Sequence, residues 1–132
     1  MACVGDSITY GYGASNQATK SYPANLQTLF GASVQVKNFG HSGATLLSVG
    51  DTPYVQQSEY AGANTFVSGA GTSAVVDVVL MLGTNDSKSY NWMMGTGTRA
   101  QQFVADAGSF FLMFTQPGAT WFQPAAEQGD RA

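Results

Sequence analysis

Hydrophobic residues fall into short runs that stop at glycine, separated by segments whose apolar positions recur at helical spacing. Met1-Ala2-Cys3-Val4 is an apolar run ending at Gly5, and it predicts a first strand feeding a tight turn. Ser21-Tyr22-Pro23, then Leu26, Leu29 and Phe30, then Gly31, predicts a helix with a serine or proline start and a glycine stop. Val34 to Phe39, closed by Gly40, predicts a second strand, and Asp51-Thr52-Pro53 opens a weak helix from Tyr54 to about Tyr60. Val75 to Leu82 is the strongest signal: β-branched, nearly unbroken and stopped by Gly83, as expected for a strand buried on both faces. Strand, helix, strand, helix, strand in this order predicts an α/β fold, a parallel sheet with helices on both sides.

Beyond that point the pattern weakens. Phe103-Val104-Ala105-Asp106 predicts a helix start, while Phe110 to Phe114 fits helix or strand. Gln116 to Ala132 carries two prolines, three charged residues and no period. There is no internal repeat, charge run or convincing linker, and 132 residues suit one domain spanning 1–132.

Composition narrows the function. The net charge is −3, and the five basic residues are scattered, which excludes the clustered cationic footprint of a nucleic-acid binder. No apolar stretch is long enough for a membrane span, and no charged n-region with an apolar core marks a signal peptide in this form. A lone Cys3 excludes an internal disulfide and a cysteine metal site, and reads as a small buried strand residue. Only 10% of the residues are charged against 44% hydrophobic, so either the fold is compact and glycine-lined or some apolar surface is buried against another chain. Gly11-x-Gly13 lacks the third glycine of a dinucleotide site, and no Gly-Lys-Ser/Thr marks a phosphate loop.

The chemistry lies where the three strands end. Gly5-Asp6-Ser7-Ile8-Thr9, Asn38 to Thr45, and Gly83-Thr84-Asn85-Asp86 are polar, glycine-containing turns. In an open parallel sheet, ligands bind at the strand C-terminal ends. Together these turns supply a hydroxyl, backbone N–H groups and a side-chain amide, an inventory suited to acyl transfer. Taken singly, Ser7 reads as a helix-capping turn serine, Gly43 as a turn glycine, and Asn85 as a strand-end turn former.

With all three blocks in order, the chain resembles the SGNH, or GDSL-type, hydrolases, a family of esterases and deacetylases. The resemblance runs from Cys3 to about Asp106 and leaves 107–132 as a divergent tail. It implies a three-layer α/β/α sandwich with a flavodoxin-like sheet order, 2-1-3-(4-5), here incomplete at the C-terminal edge. It implies Ser7 as nucleophile and first oxyanion donor, Gly43 as second donor through its N–H, and Asn85 as third through its amide. Ser21-Tyr22-Pro23 and Asp51-Thr52-Pro53-Tyr54 are similar to segments of carbohydrate-deacetylase-like members. The expected reaction is hydrolysis of small acyl esters of the acetyl type, with no metal and no cofactor. Members are often secreted or periplasmic; the compartment of this chain is not legible.

One block is missing. The family's C-terminal Asp-x-x-His, the source of its general base, has no counterpart, and the chain reads as truncated before it. His41, the sole histidine, flanks the second block. It reads as a loop histidine hydrogen-bonded near the crevice, or more sharply as a substitute base for Ser7 from its own or a neighbouring subunit. Without a base, activity is expected to be weak, since an oxyanion hole and binding alone leave roughly 10³–10⁴-fold over water in the serine-protease case. Two alternatives stay open: an impaired or inactive ligand-binding module, and a truncated gene product stabilised by oligomerisation. An incomplete sheet also predicts a homo-oligomer in which the Phe103–Phe114 segment packs against another chain.

Overall fold

The glycine-stopped runs become three parallel strands in a computed structural model that describes residues 1–71, 73–93 and 98–114. These are β1 (Ala2–Gly5), β2 (Lys37–Gly40) and β3 (Val78–Met81), in the order β2-β1-β3. This is the α/β architecture and the strand order expected from the sequence. Ala2 lies opposite Lys37 on one side and Val78 on the other, and Gly5 lies opposite Gly40 and Met81. The three strands therefore end level with one another, and their turns emerge side by side.

Parallel neighbours need long crossovers, and helices supply them. After β1 come two short helices, α1 (Ser7–Tyr10) and α2 (Gln17–Lys20), then α3 (Tyr22–Phe30), which leads to β2. Proline sits in the first turn of α3, and Gly31 at φ +59° ends it, a backbone conformation other residues adopt reluctantly. Between β2 and β3 runs α4 (Ser58–Gly69), preceded by a single 3-10 turn at Tyr54–Gln56. Sequence pattern underestimated α4 because its inner face is built from small residues: Ala63 and Val67 are buried, and a Cβ on Gly62 would come within 3.3 Å of the Phe39 ring. After β3 follow α5 (Ser89–Met93) and α6 (Arg99–Met113).

One expectation is corrected. The third strand spans only Val78–Met81, and its residues are half-buried or exposed, while Val75 is 91% exposed. Burial on both faces depends on what covers a strand as well as on its own residues. Among the described residues no strand pairs with the outer edge of β3. Residues 103–113 lie within α6, the helix expected to start at Phe103-Val104-Ala105-Asp106, and its ring-bearing face closes over the chain's own core. Phe110 and Phe114 are 2% and 8% exposed, with ring centroids 5.3 Å apart and 5.5 and 6.3 Å from Tyr60. Tyr54 completes the cluster, 5.7 Å from Phe110. The opposite face of α6 stays open at Val104, 71% exposed. Cys3 is buried in β1, as its small apolar character suggested, and burial pushes its thiol pKa up. No helix among the described residues is long and apolar enough to cross a membrane. The unpatterned stretch 116–132 lies outside the described residues.

Candidate active site

The first strand delivers Ser7. Asp6 caps α1, its Oδ1 accepting the Ile8 N–H at 2.9 Å, and its own N–H donates to the Met81 carbonyl at 3.2 Å. Gly5 permits this tight exit: a Cβ there would strike the Thr9 hydroxyl and the Met81 carbonyl. Thr9 is buried, its hydroxyl 3.1 Å from the Tyr22 hydroxyl, so the turn is anchored from beneath. Ser7 stands half-buried as the first helical residue, where N–H groups have no intrahelical partner. The Ile8 N–H is taken by Asp6, whereas the Ser7 N–H has no acceptor among the described residues. Asp6 is fully buried, and its second oxygen, Oδ2, is likewise unpartnered.

The second strand delivers His41 and Gly43. A Cβ on Gly40 would collide with the backbone nitrogen of Tyr10, so glycine lets β2 close on α1. Asn38 seals the junction, donating from Nδ2 to the Thr9 carbonyl and accepting the Gly40 N–H through Oδ1, both at 2.9 Å. His41 N–H then donates to the Gly5 carbonyl at 2.9 Å. Gly43 sits at φ +85° with nothing closer to a hypothetical Cβ than Thr52 Oγ1 at 4.0 Å, so glycine is needed there for the turn and not for space. Its N–H has no acceptor among the described residues.

The third strand delivers Asn85, 5% exposed, whose Nδ2 donates to the Ala44 carbonyl at 3.0 Å. That bond uses one of the two hydrogens on Nδ2 and fixes the direction of the other. The Asn85 carbonyl accepts from Asn91 Nδ2 at 2.9 Å, and Asn91 Oδ1 accepts the Asp51 N–H at 2.8 Å. Asp86, 1% exposed, accepts the Leu46 and Leu47 N–H groups at 2.9 and 2.7 Å. Asp106 of α6 accepts from the Ser48 N–H at 2.8 Å and its hydroxyl at 3.2 Å. The loop after Gly43 is thus clamped from the β3 side by Asp86, Asn91 and Asp106. Sequence reading missed all three roles. Only Asp86 carried a signal, its place beside Asn85.

His41 turns its ring to α4: Nδ1 lies 3.0 Å from Glu59 Oε2, with the two side chains 32% and 30% exposed. Partial burial pushes the Glu59 pKa up, but its own backbone N–H, His41 and Ser58 outweigh that and hold it below the usual carboxylate range. No hydrogen bond joins the His41 ring to Ser7 among the described residues. A groove of about 490 Å³ opens beside β2, lined by Tyr10, Ser21, Gln27, Val36, Asn38 and Glu59. Ser7, Gly43 and Asn85 do not line it. Its amides are already spent: Gln27 accepts the Val36 N–H and donates to Gly31 and Val34, while Asn38 is bonded as above. Among the described residues no group of three or more His, Cys, Asp or Glu side chains could hold a metal ion.

Ser7, His41, Gly43 and Asn85 therefore all stand on turns at one end of a parallel sheet, with Ser7 and Gly43 N–H groups free among the described residues. That combination defines an α/β protein with a serine, a histidine and hydrogen-bond donors on the turns at one end of its parallel sheet. The chain belongs to the GDSL-like lipase/acylhydrolase family, whose model matches residues 3–129. It is also similar to an acetylxylan esterase of Xylanibacter ruminicola (strain ATCC 19189 / DSM 19721 / CIP 105475 / JCM 8958 / 23), 42% identical over 99 residues. That match covers 75% of this chain and 19% of the relative, so it spans about a fifth of that protein's length. No solved structure matches the chain.

Proposed function

We propose that the chain hydrolyses small acyl esters of the acetyl type, with Ser7 as nucleophile. The Ser7 N–H, the Gly43 N–H and the second Asn85 amide hydrogen hold the oxyanion. The observation that carries this reading is the state of those donors. The Asn85 amide is buried and aimed by its 3.0 Å bond to Ala44, and neither backbone N–H has an acceptor among the described residues. Backbone donors without protein partners are available to take the charge of a developing oxyanion. Membership of an acylhydrolase family and likeness to a protein named acetylxylan esterase support the same class of substrate.

The test is hydrolysis of p-nitrophenyl acetate by the wild-type chain and by Ser7→Ala. The variant should fall to the uncatalysed rate, and a serine-directed phosphonate should label the wild type at one site per chain and the variant not at all. Equal rates for the two proteins would reject the enzyme reading and leave a ligand-binding module.

A further inference from the structure

We propose that Arg99 and the first turn of α6 form a carboxylate-binding site, an inference that does not rest on Ser7 being a nucleophile. Arg99 is the first residue of α6 and is 8% exposed. Asp6, Asp86 and Arg99 are the charged residues buried among those described. Asp86 is matched by the Leu46 and Leu47 N–H groups, and one oxygen of Asp6 by the Ile8 N–H. Arg99 is the buried cation, and its Nε and Nη2 have no hydrogen-bond partner. Among the described residues no carboxylate pairs with it; the ion pair there joins His41 and Glu59. A guanidinium cation taken out of water without a counter-charge carries a desolvation cost, which a bound anion offsets.

The two unpartnered atoms belong together. Nε–H and one Nη2–H of a guanidinium point the same way and form the edge that takes both oxygens of a carboxylate. Helical side chains lean toward the N-terminus, so from the first position Arg99 reaches past the start of α6. There the N–H groups of Arg99, Ala100 and Gln101 have no acceptor among the described residues, while that of Gln102 donates to the Thr98 carbonyl at 3.1 Å. Thr98 precedes the helix without capping it, because its hydroxyl donates to the Gln101 side-chain oxygen. Unpaired N–H groups, the positive end of the helix dipole and the guanidinium edge thus serve one anion.

Charge and place narrow the ligand. Lys88, the basic residue before Arg99, holds its Nζ over the Tyr90 ring, 5.8 Å from the centroid. One cation and two coplanar donors match a monoanion with two coplanar oxygens, which a carboxylate is and a phosphate dianion is not. Phe103, one turn along the same face of α6, lies 3.7 Å from a Cβ placed on Gly83, and its ring centroid is 6.2 Å from that of Trp92. Gly83 opens the turn that carries Asn85, so α6 begins beside the third of the strand-end turns. A carboxylate reaches such a place either as a small free acid or as a group carried on a sugar, and the edge recognises the same planar group in both.

Titration of the full chain with sodium acetate and with sodium glucuronate, against sodium chloride at equal ionic strength, tests the site. Tryptophan fluorescence reads it, since Trp92 lies against Phe103 near the start of α6. The wild type should show a saturable change with a carboxylate and none with chloride. Acetate bound as well as glucuronate marks a free-acid site; glucuronate bound at least about tenfold more tightly marks a carboxylate carried on a sugar. Arg99→Gln, which keeps side-chain donors without the charge, should lose at least about tenfold in affinity, and Arg99→Lys, which keeps the charge without the edge, should also weaken. Saturating carboxylate should raise the wild-type unfolding midpoint by about 2 °C or more and leave that of Arg99→Gln unmoved. Ser7→Ala should bind as the wild type does, whatever its rate of ester hydrolysis. No saturable change with either carboxylate in the wild type overturns the site, and that titration stands alone should a variant fail to fold. Wild-type affinity in Arg99→Gln overturns the role of Arg99, and sulfate bound more tightly than either carboxylate overturns the choice of ligand.

Discussion

β1 and β3 are neighbours in one sheet, equal in length and joined residue for residue, yet they live in different surroundings. The side chains of Ala2, Cys3 and Val4 are fully buried, while Val78, Val79 and Leu80 are half-buried and Met81 is 39% exposed. By residue type β3 is the more hydrophobic and the more β-branched strand. β1 is flanked on both edges and covered by α4, whereas among the described residues β3 has a single strand neighbour. Hydrophobicity qualifies a segment for the sheet; its place in the order decides how much water it loses. Half of this molecule is a finished core, and the other half is held by a few side chains from α6 and by polar clamps across the site.

The sharpest way to break this contrast is to pull α6 off the finished half. Phe110 is its anchor, 2% exposed among Tyr54, Tyr60 and Phe114. Phe110→Ala should cost about 3–5 kcal/mol of unfolding free energy, the range for deleting a buried ring. Val75→Ala, on the exposed approach to β3, should change stability by less than about 0.5 kcal/mol. Denaturant unfolding followed by tryptophan fluorescence measures both. If the two variants unfold at the same denaturant concentration, α6 is not seated as described. A domain's total stability is only about 5–15 kcal/mol, so Phe110→Ala alone brings this chain near its limit.

This contrast also marks how far the sequence could be read. β1, β2 and the strand order were legible because apolar runs stopped by glycine have few other readings in a strand-helix alternation. The lengths were not: Val34 to Val36 and Val75 to Asp77 look like strand but lie outside the paired registers, since pairing is set by the shortest partner. α4 was read short because Ala61, Gly62 and Ala63 give no hydrophobic contrast, although smallness is what lets the helix approach Phe39. At the site, the turns bearing Ser7, Gly43 and Asn85 were legible from motif order. Glu59 was not, because its meeting with His41 spans 18 positions and depends on where the first turn of α4 lands. Asn91 and Asp106 were hidden for the same reason, bonding backbone groups 40 and 58 positions away.

A smaller effect should follow from cutting the clamp that joins the two halves. Asp86 leaves the end of β3 to accept two buried N–H groups, those of Leu46 and Leu47, in the loop after Gly43. Asp86→Ala strands both donors, and a buried donor without a partner costs about 1–3 kcal/mol. The expected loss is roughly 2–4 kcal/mol, allowing for partial relaxation. Hydrogen exchange localises it: the Leu46 and Leu47 amides should lose protection before those of β1. Unchanged exchange at those two amides would show that the loop is held by something other than Asp86.

The smallest effect vanishes at neutral pH and emerges only in alkali, where it reports on how well the finished half excludes water. Tyr22, hydrogen-bonded beneath the Ser7 turn, has its pKa pushed up to about 12, chiefly by burial, with the Thr9 hydroxyl pulling the other way. Tyr54, whose hydroxyl donates to the Phe39 carbonyl, is pushed up further, again chiefly by burial, with Glu59 adding to it. In the unfolded chain both phenols ionise near about 10. A group whose folded pKa is raised contributes stability that is complete below the unfolded value and is lost as pH climbs toward the folded one. Stability should therefore hold to about pH 10 and then decline through about pH 12. Tyrosinate absorbance should show two of the six tyrosines ionising only as the circular dichroism of the fold is lost. If all six ionise reversibly in one early step while the helical signal persists, water already reaches the base of the Ser7 turn. The β1 side would then be no better closed than the β3 side.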